Sequence, residues 1–169
     1  KMIIVNSPQN PTGSIINEDD IRELITITHG NDILILSDEV YEHLTYDDQK
    51  HLSIAAIPEL RDRTFICASF GKLFHNTGWK IGYCIAPADL MKEFRKIHQF
   101  LVFSVNTPIQ YAIADFMANK NYFSELQTFY QQKRDFFANL MKNTRFDLLP
   151  CQGSYFQTAT YTRISEESD

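Results

Sequence analysis

Short unbroken apolar runs alternate along this chain with segments whose apolar positions recur every three or four residues. Met2-Ile3-Ile4-Val5, Ile33-Leu34-Ile35-Leu36 and Thr64-Phe65-Ile66-Cys67-Ala68 have the length and composition of buried strands. Between the first two, Ile21, Leu24, Ile25 and Thr28 follow helical spacing. Asn17 is placed to cap that helix, and Glu18, Asp19 and Asp20 fill its first turn, where the dipole favours acids. Gly30 supplies the stop. A short helix is predicted near residues 53–60 and a further strand over 78–86. Pro87 opens a helix whose buried stripe is expected to be Leu90, Phe94, Ile97 and Leu101.

Thr107-Pro108-Ile109-Gln110 reads as a helix start, with a threonine cap, proline at the first helical position and glutamine closing a capping box. A long helix is predicted from Tyr122 to Met141, with Leu126, Phe129, Phe136, Phe137 and Leu140 as packing positions. Beyond Arg145, short strands over 146–149 and 155–161 replace helices. The fold class is therefore α/β, a mostly parallel mixed sheet with helices on both faces, followed by the start of a smaller α+β domain. The expected boundary divides 1–145 from 146–169. The chain opens directly on a strand and closes just after another strand-like segment, so it is expected to be the central piece of a longer protein.

Composition narrows the partners. The chain has 169 residues, 44% hydrophobic and 22% charged, as in ordinary globular proteins. A net charge of −5 without a basic block argues against nucleic acid. No apolar run approaches the roughly 18 residues needed to span a bilayer. Cys67, Cys84 and Cys151 show neither CxxC nor metal-ligand spacing, and their odd number argues against a disulfide framework. A reducing cytoplasm is the expected compartment. Cys67 and Cys84 fit as small core residues. The five histidines are dispersed, none paired at metal-binding spacing, and no metal is expected.

The chemistry lies at the strand ends. In open α/β sheets ligands bind beyond the carboxyl ends of the strands. Asn10, Asp38 and the segment Ser69-Phe70-Gly71-Lys72 each follow an apolar strand, so all can reach one edge. An amine and an acid so placed suit pyridoxal 5'-phosphate. That cofactor needs a lysine to bond it and move a proton, an acid to hold its ring nitrogen protonated, hydrogen bonds to its phenolate oxygen, and a cationic, hydroxyl-lined phosphate pocket. Lys72 and Asp38 meet the first two needs, Tyr41 and Asn10 the third, and Ser69 and Lys80 part of the fourth. Ser69 also fits as a plain helix cap.

Asn10-Pro11-Thr12-Gly13, Asp38-Glu39-Val40-Tyr41, Ser69-Phe70-Gly71-Lys72 and Gly78-Trp79-Lys80-Ile81-Gly82-Tyr83 resemble, in order and spacing, the motifs of class I/II aminotransferases of fold type I. The resemblance covers nearly the whole chain but only the central part of such an enzyme. It implies that Lys72 is the Schiff-base and proton-shuttling lysine and that Asp38 pairs with the pyridinium nitrogen. It further implies that Asn10 and Tyr41 contact the phenolate oxygen, while Ser69 and Lys80 bind phosphate. Most of the family has arginine where Lys80 stands, and lysine lacks the bidentate fork. The Gly-Trp-Lys variant resembles the methionine aminotransferase and kynurenine/glutamine transaminase branch, which takes large apolar, sulfur-containing or aromatic amino acids. In that branch the residue matching Phe103 reaches the site across a homodimer interface. The family's phosphate loop and carboxylate-binding arginine have no match in this chain, and Arg163 does not occupy a matching position. The activity implied is transamination between an amino acid and a 2-keto acid, with a carbon–sulfur β-lyase or a catalytically inactive fragment as alternatives.

Overall fold

A computed structural model describes residues 1–119 and 121–167. Its elements in chain order are β1 (Met2–Asn6), α1 (Glu18–Thr28), β2 (Leu34–Asp38), α2 (Pro58–Arg61), β3 (Thr64–Ser69), α3 (Phe70–Leu73) and β4 (Gly82–Ile85). There follow α4 (Ala88–Leu101), α5 (Thr107–Phe116), α6 (Tyr122–Met141), β5 (Asp147–Leu148) and β6 (Ala159–Thr160). The first four strands form one sheet in the order β1-β2-β3-β4. Pairings β1–β2 and β2–β3 are parallel and β3–β4 is antiparallel.

Strand alternation divides the sheet into two chemically different faces. Ile3, Val5, Ile35 and Ile66 pack with Ile21 and Leu24 of α1, Ile54 and Leu60. Ile35 and Leu60 are fully buried, and each such side chain contributes about 1.5–3 kcal/mol. The other face meets α4 where Phe94 lies 6.5 Å from Phe65, ring to ring. Toward β1 that face is open, and Ile4 is 70% exposed. A second cluster of Tyr41, Leu44, Leu73 and Leu126 joins the loop after β2 to α3 and α6.

The cap on α1 forms as expected. Asn17 accepts from Asp19 N and Asp20 N, and Asp20 returns a bond to Asn17 N, completing a capping box. Gly30 follows with φ of +67°. Other expectations need correction. The segment over 78–86 becomes a strand only at Gly82, because a 3₁₀ turn (Thr77–Trp79) precedes it and Lys80 adopts a left-handed conformation. Asn106, not Thr107, caps α5, its side chain accepting from Ile109 N; Gln110 bonds Val105 O and closes no capping box. The stripe on α4 is not buried throughout, since Ile97 is 61% and Leu101 78% exposed. Phe129, Phe136, Phe137 and Leu140 of α6 are likewise exposed, and only Leu126 of that set is buried.

After α6 the chain forms a separate two-stranded antiparallel sheet, shorter than the two predicted strands. Between its strands, residues 151–156 fold back over the turn after β1. Gln152 N and Gly153 N both donate to Gly13 O at 2.9 Å. A Cβ on Gly13 would stand 2.8 Å from Cys151 Sγ. Closeness, together with φ of +72° at Gly13, requires glycine there.

Candidate active site

The register of the sheet builds the site. Asn6, Asp38, Cys67 and Cys84 are successive partners across the four strands. Asp38 thus ends β2 on the face opposite the α1 core, with Asn6 and Cys67 beside it. Asn6 does two things: its Nδ2 donates to Asp38 O at 3.0 Å, and its Oδ1 accepts from Asn10 N at 2.8 Å. The turn bearing Asn10 is thereby tied to the end of β2. Asp38 Oδ1 accepts from Val40 N at 3.2 Å.

Tyr41 is only 2% exposed. Its ring meets Tyr155 and Phe156 edge-on, with centroids 5.1 and 5.9 Å away. Its hydroxyl donates to Tyr155 Oη at 3.4 Å. Burial, then the bond to Tyr155, pushes the phenol pKa well above its usual value, so it stays a donor. Ser69 Oγ accepts from Gly71 N at 3.2 Å and so caps α3. Lys72 stands in that one-turn helix. Gly71 lets the backbone of Thr77 pass within 3.0 Å of where a Cβ would be.

Asn10, Asp38, Tyr41, Ser69 and Lys72 line one open cavity of about 580 Å³, with Ile4, Asn6, Leu36, Val40, Cys67 and Ala68. Lys80 and Phe103 do not line it. Lys80 is exposed with φ of +56°, and Phe103, beyond the end of α4, is 86% exposed with φ of +64°. A groove of about 620 Å³ along α4, between Ala86, Met91 and Arg95, has lysines but neither a carboxylate nor a phenol in its lining.

Sequence reasoning missed Asn6, Cys67 and Glu39. For the first two the signal existed, because both stand level with Asp38 on adjacent strands. Glu39 points to the opposite side and is 1% exposed. Its carboxylate accepts from Ser37 Oγ (2.9 Å), Ser53 Oγ (3.1 Å), Ile54 N (3.2 Å) and His51 Nε2 (2.7 Å). Burial by itself would raise its pKa, but the hydrogen bond and charge of His51, with Ser37 and Ser53, outweigh that and hold it below the usual value. Glu39, Glu42 and His51 bring ligand atoms within 4.8 Å of one another, yet Glu39 and His51 are already bonded together.

An amine, a carboxylate and a phenol converging beyond parallel strand ends are the layout of an α/β enzyme site. The sequence profile of aminotransferase class I and II matches residues 1–168, and the chain belongs to that family. A methionine aminotransferase from Escherichia coli (strain K12) is 44% identical over 170 residues, covering 100% of this chain and 44% of the relative. A kynurenine–oxoglutarate transaminase from Dictyostelium discoideum is 37% identical, covering 100% and 40%. The crystal structure of YbdL from Escherichia coli, for which a methionine aminotransferase function is described, superposes with a TM-score of 0.95 at 43% identity. It is matched over 100% of this chain and 45% of its own. The chain thus shares the fold of these aminotransferases and spans less than half the length of the relatives it matches.

Proposed function

We propose that the protein containing this chain is a pyridoxal phosphate-dependent aminotransferase, exchanging an amino group between an amino acid and a 2-keto acid. The observation that carries this reading is the convergence of Lys72, Asp38, Tyr41, Asn10 and Ser69 on one cavity. The donor set fits the cofactor: one amine, one carboxylate, a buried phenol that remains protonated, an amide and a hydroxyl. Bound there, pyridoxal phosphate supplies an electron sink for the carbanion formed at the substrate Cα.

Lys72 Nζ would hold the cofactor and move the substrate Cα proton. Asp38 holds a proton on the ring nitrogen. Tyr41 and Asn10 donate to the phenolate oxygen. Ser69 and Lys80 would take part in phosphate binding, Lys80 as a charge on an exposed left-handed turn. Among the described residues no arginine lines the cavity.

The relatives named for methionine and kynurenine support large apolar, sulfur-containing or aromatic substrates. Their transaminase names also favour transfer over the β-lyase alternative. Exposed Ile97, Phe100, Leu101 and Phe103 support a homodimer that covers this end of α4 and brings Phe103 to the partner's substrate. Residues 146–169 begin the smaller domain, and the separate β5–β6 sheet supports that division. Among the described residues no helix is long and apolar enough to cross a membrane, and three free thiols support a reducing cytoplasm.

The test is borohydride reduction of the complete protein with pyridoxal phosphate, followed by peptide mapping and product analysis. Cofactor fixed on Lys72, and keto acid formed only with an acceptor present, are expected. Label on another lysine overturns the site assignment. Ammonia and pyruvate without an acceptor would establish the lyase.

A further inference from the structure

Cys67 on β3 and Cys84 on β4 are directly opposed across an antiparallel pair. The hydrogen-bonding pattern fixes which kind of pair this is. Phe70 N donates to Ile81 O at 3.1 Å, so the directly opposed residues 70 and 81 form a hydrogen-bonded pair. Hydrogen-bonded and non-hydrogen-bonded pairs alternate along an antiparallel ladder. Three positions further on, Cys67 and Cys84 are therefore a non-hydrogen-bonded pair, the kind in which Cα atoms approach to about 4.5 Å. That separation lies inside the range a disulfide spans.

Opposed side chains share one face of the sheet. Both residues are half-buried, and Cys67 lines the cavity that contains Asp38 and Lys72. Cys151, the third thiol, is occupied elsewhere, donating to Gly153 O and Phe156 O at 3.3 and 3.2 Å.

We propose that Cys67 and Cys84 form an oxidation site, closing to a cross-strand disulfide beside the cofactor cavity when the protein meets a peroxide. The Cys67 thiolate attacks one peroxide oxygen, the O–O bond breaks, and hydroxide leaves behind a Cys67 sulfenic acid. The Cys84 sulfur then attacks the Cys67 sulfur, forming the S–S bond and breaking the S–O bond. The two thiols lose two electrons and two protons, and hydrogen peroxide becomes two waters. Burial raises both thiol pKa values, for Cys84 to about 11, and the Asp38 charge adds to the effect at Cys67. Reaction is correspondingly slow, so the pair responds to sustained oxidant and not to brief exposure. This site does not depend on the proposed transaminase activity.

The experiment exposes the complete protein, freed of reductant, to excess hydrogen peroxide, then blocks remaining thiols with iodoacetamide and digests with trypsin. The expected product is peptide 64–72 linked to peptide 81–92, with both free thiols lost together, Cys151 still alkylated, and full reversal by dithiothreitol. In Cys84→Ser, dimedone should label Cys67, whereas the unaltered protein takes up none. Independent oxidation of the two cysteines to sulfinic acids, a linkage through Cys151, or continued alkylation of both under peroxide would overturn the proposal. Should Cys84→Ser fail to fold, the linked peptide in the unaltered protein still decides the question.

Discussion

Replacing Glu39 by alanine tests the framework behind the site more sharply than any change in the cavity itself. Glu39 is fully buried and accepts four hydrogen bonds, from Ser37, Ser53, Ile54 N and His51. Removing the carboxylate strands the buried Ser37 hydroxyl and Ile54 N, and takes the partner from the half-buried Ser53 and His51. Each stranded neutral donor costs about 1–3 kcal/mol if nothing replaces its partner, and relaxation plus entering water recovers part of that. Glu39→Ala should therefore destabilise by about 3–5 kcal/mol. Glu39→Gln keeps an acceptor for Ser37, Ser53 and Ile54 N and should cost about 1–2 kcal/mol.

The same carboxylate predicts a pH dependence with a definite sign. Its folded pKa lies below the unfolded value, which is about 4.3. Its contribution is therefore complete above the unfolded pKa and is lost as pH falls through the folded pKa. Glu39→Gln should flatten the acid limb of the stability profile below about pH 5. Urea unfolding of the complete protein, followed by tryptophan fluorescence and circular dichroism at several pH values, measures both effects. A Glu39→Ala protein within about 1 kcal/mol of the parent, or an unchanged acid limb in Glu39→Gln, would refute the reasoning.

Asp38→Asn should leave folding nearly intact, because the Asp38 side chain accepts one hydrogen bond, from Val40 N, and asparagine can accept it too. Turnover should fall about 10²–10⁴-fold, the range typical for loss of a positioned acid–base group, and steady-state kinetics beside thermal melts would separate the two effects. Gly13→Ala should lower stability by about 1–3 kcal/mol, since φ is +72° and the added carbon would meet Cys151 Sγ at 2.8 Å and Gly153 O at 2.9 Å. Chemical denaturation checks this, and a neutral effect would mean that residues 151–153 can move aside.

Local pattern carried the strands β1, β2 and β3, the cap of α1 and the extent of α6, because apolar runs and cap chemistry act over a few neighbours. It also brought Lys72, Asp38, Tyr41, Asn10 and Ser69 to one edge, since each follows a strand. Lys80 was misread as strand because the alternation around Trp79 and Ile81 conceals a 3₁₀ turn, which backbone geometry creates and side-chain polarity does not encode. Asn106 and Thr107 are both competent caps, and only the backbone angles select the first. The apolar stripe of α4 was legible as a stripe, but periodicity does not say what covers it. Nothing local in the sequence singles out Glu39, for its partners His51, Ser53 and Ile54 come from a segment a dozen or more positions away.

The fold-back of residues 151–156 makes the cavity sensitive to events outside it. Two backbone bonds clasp Gly13, Tyr155 and Phe156 pack edge-on against one side of the Tyr41 ring, and Arg134 clamps Cys151 O together with Asp47. The turn carrying Asn10 and the phenol of Tyr41 are therefore gripped by the stretch that leads into β6. A shift of β5 and β6 would act on that stretch as on a lever, moving two of the cavity's hydrogen-bond donors while Asp38 stays fixed in β2 and Lys72 in α3.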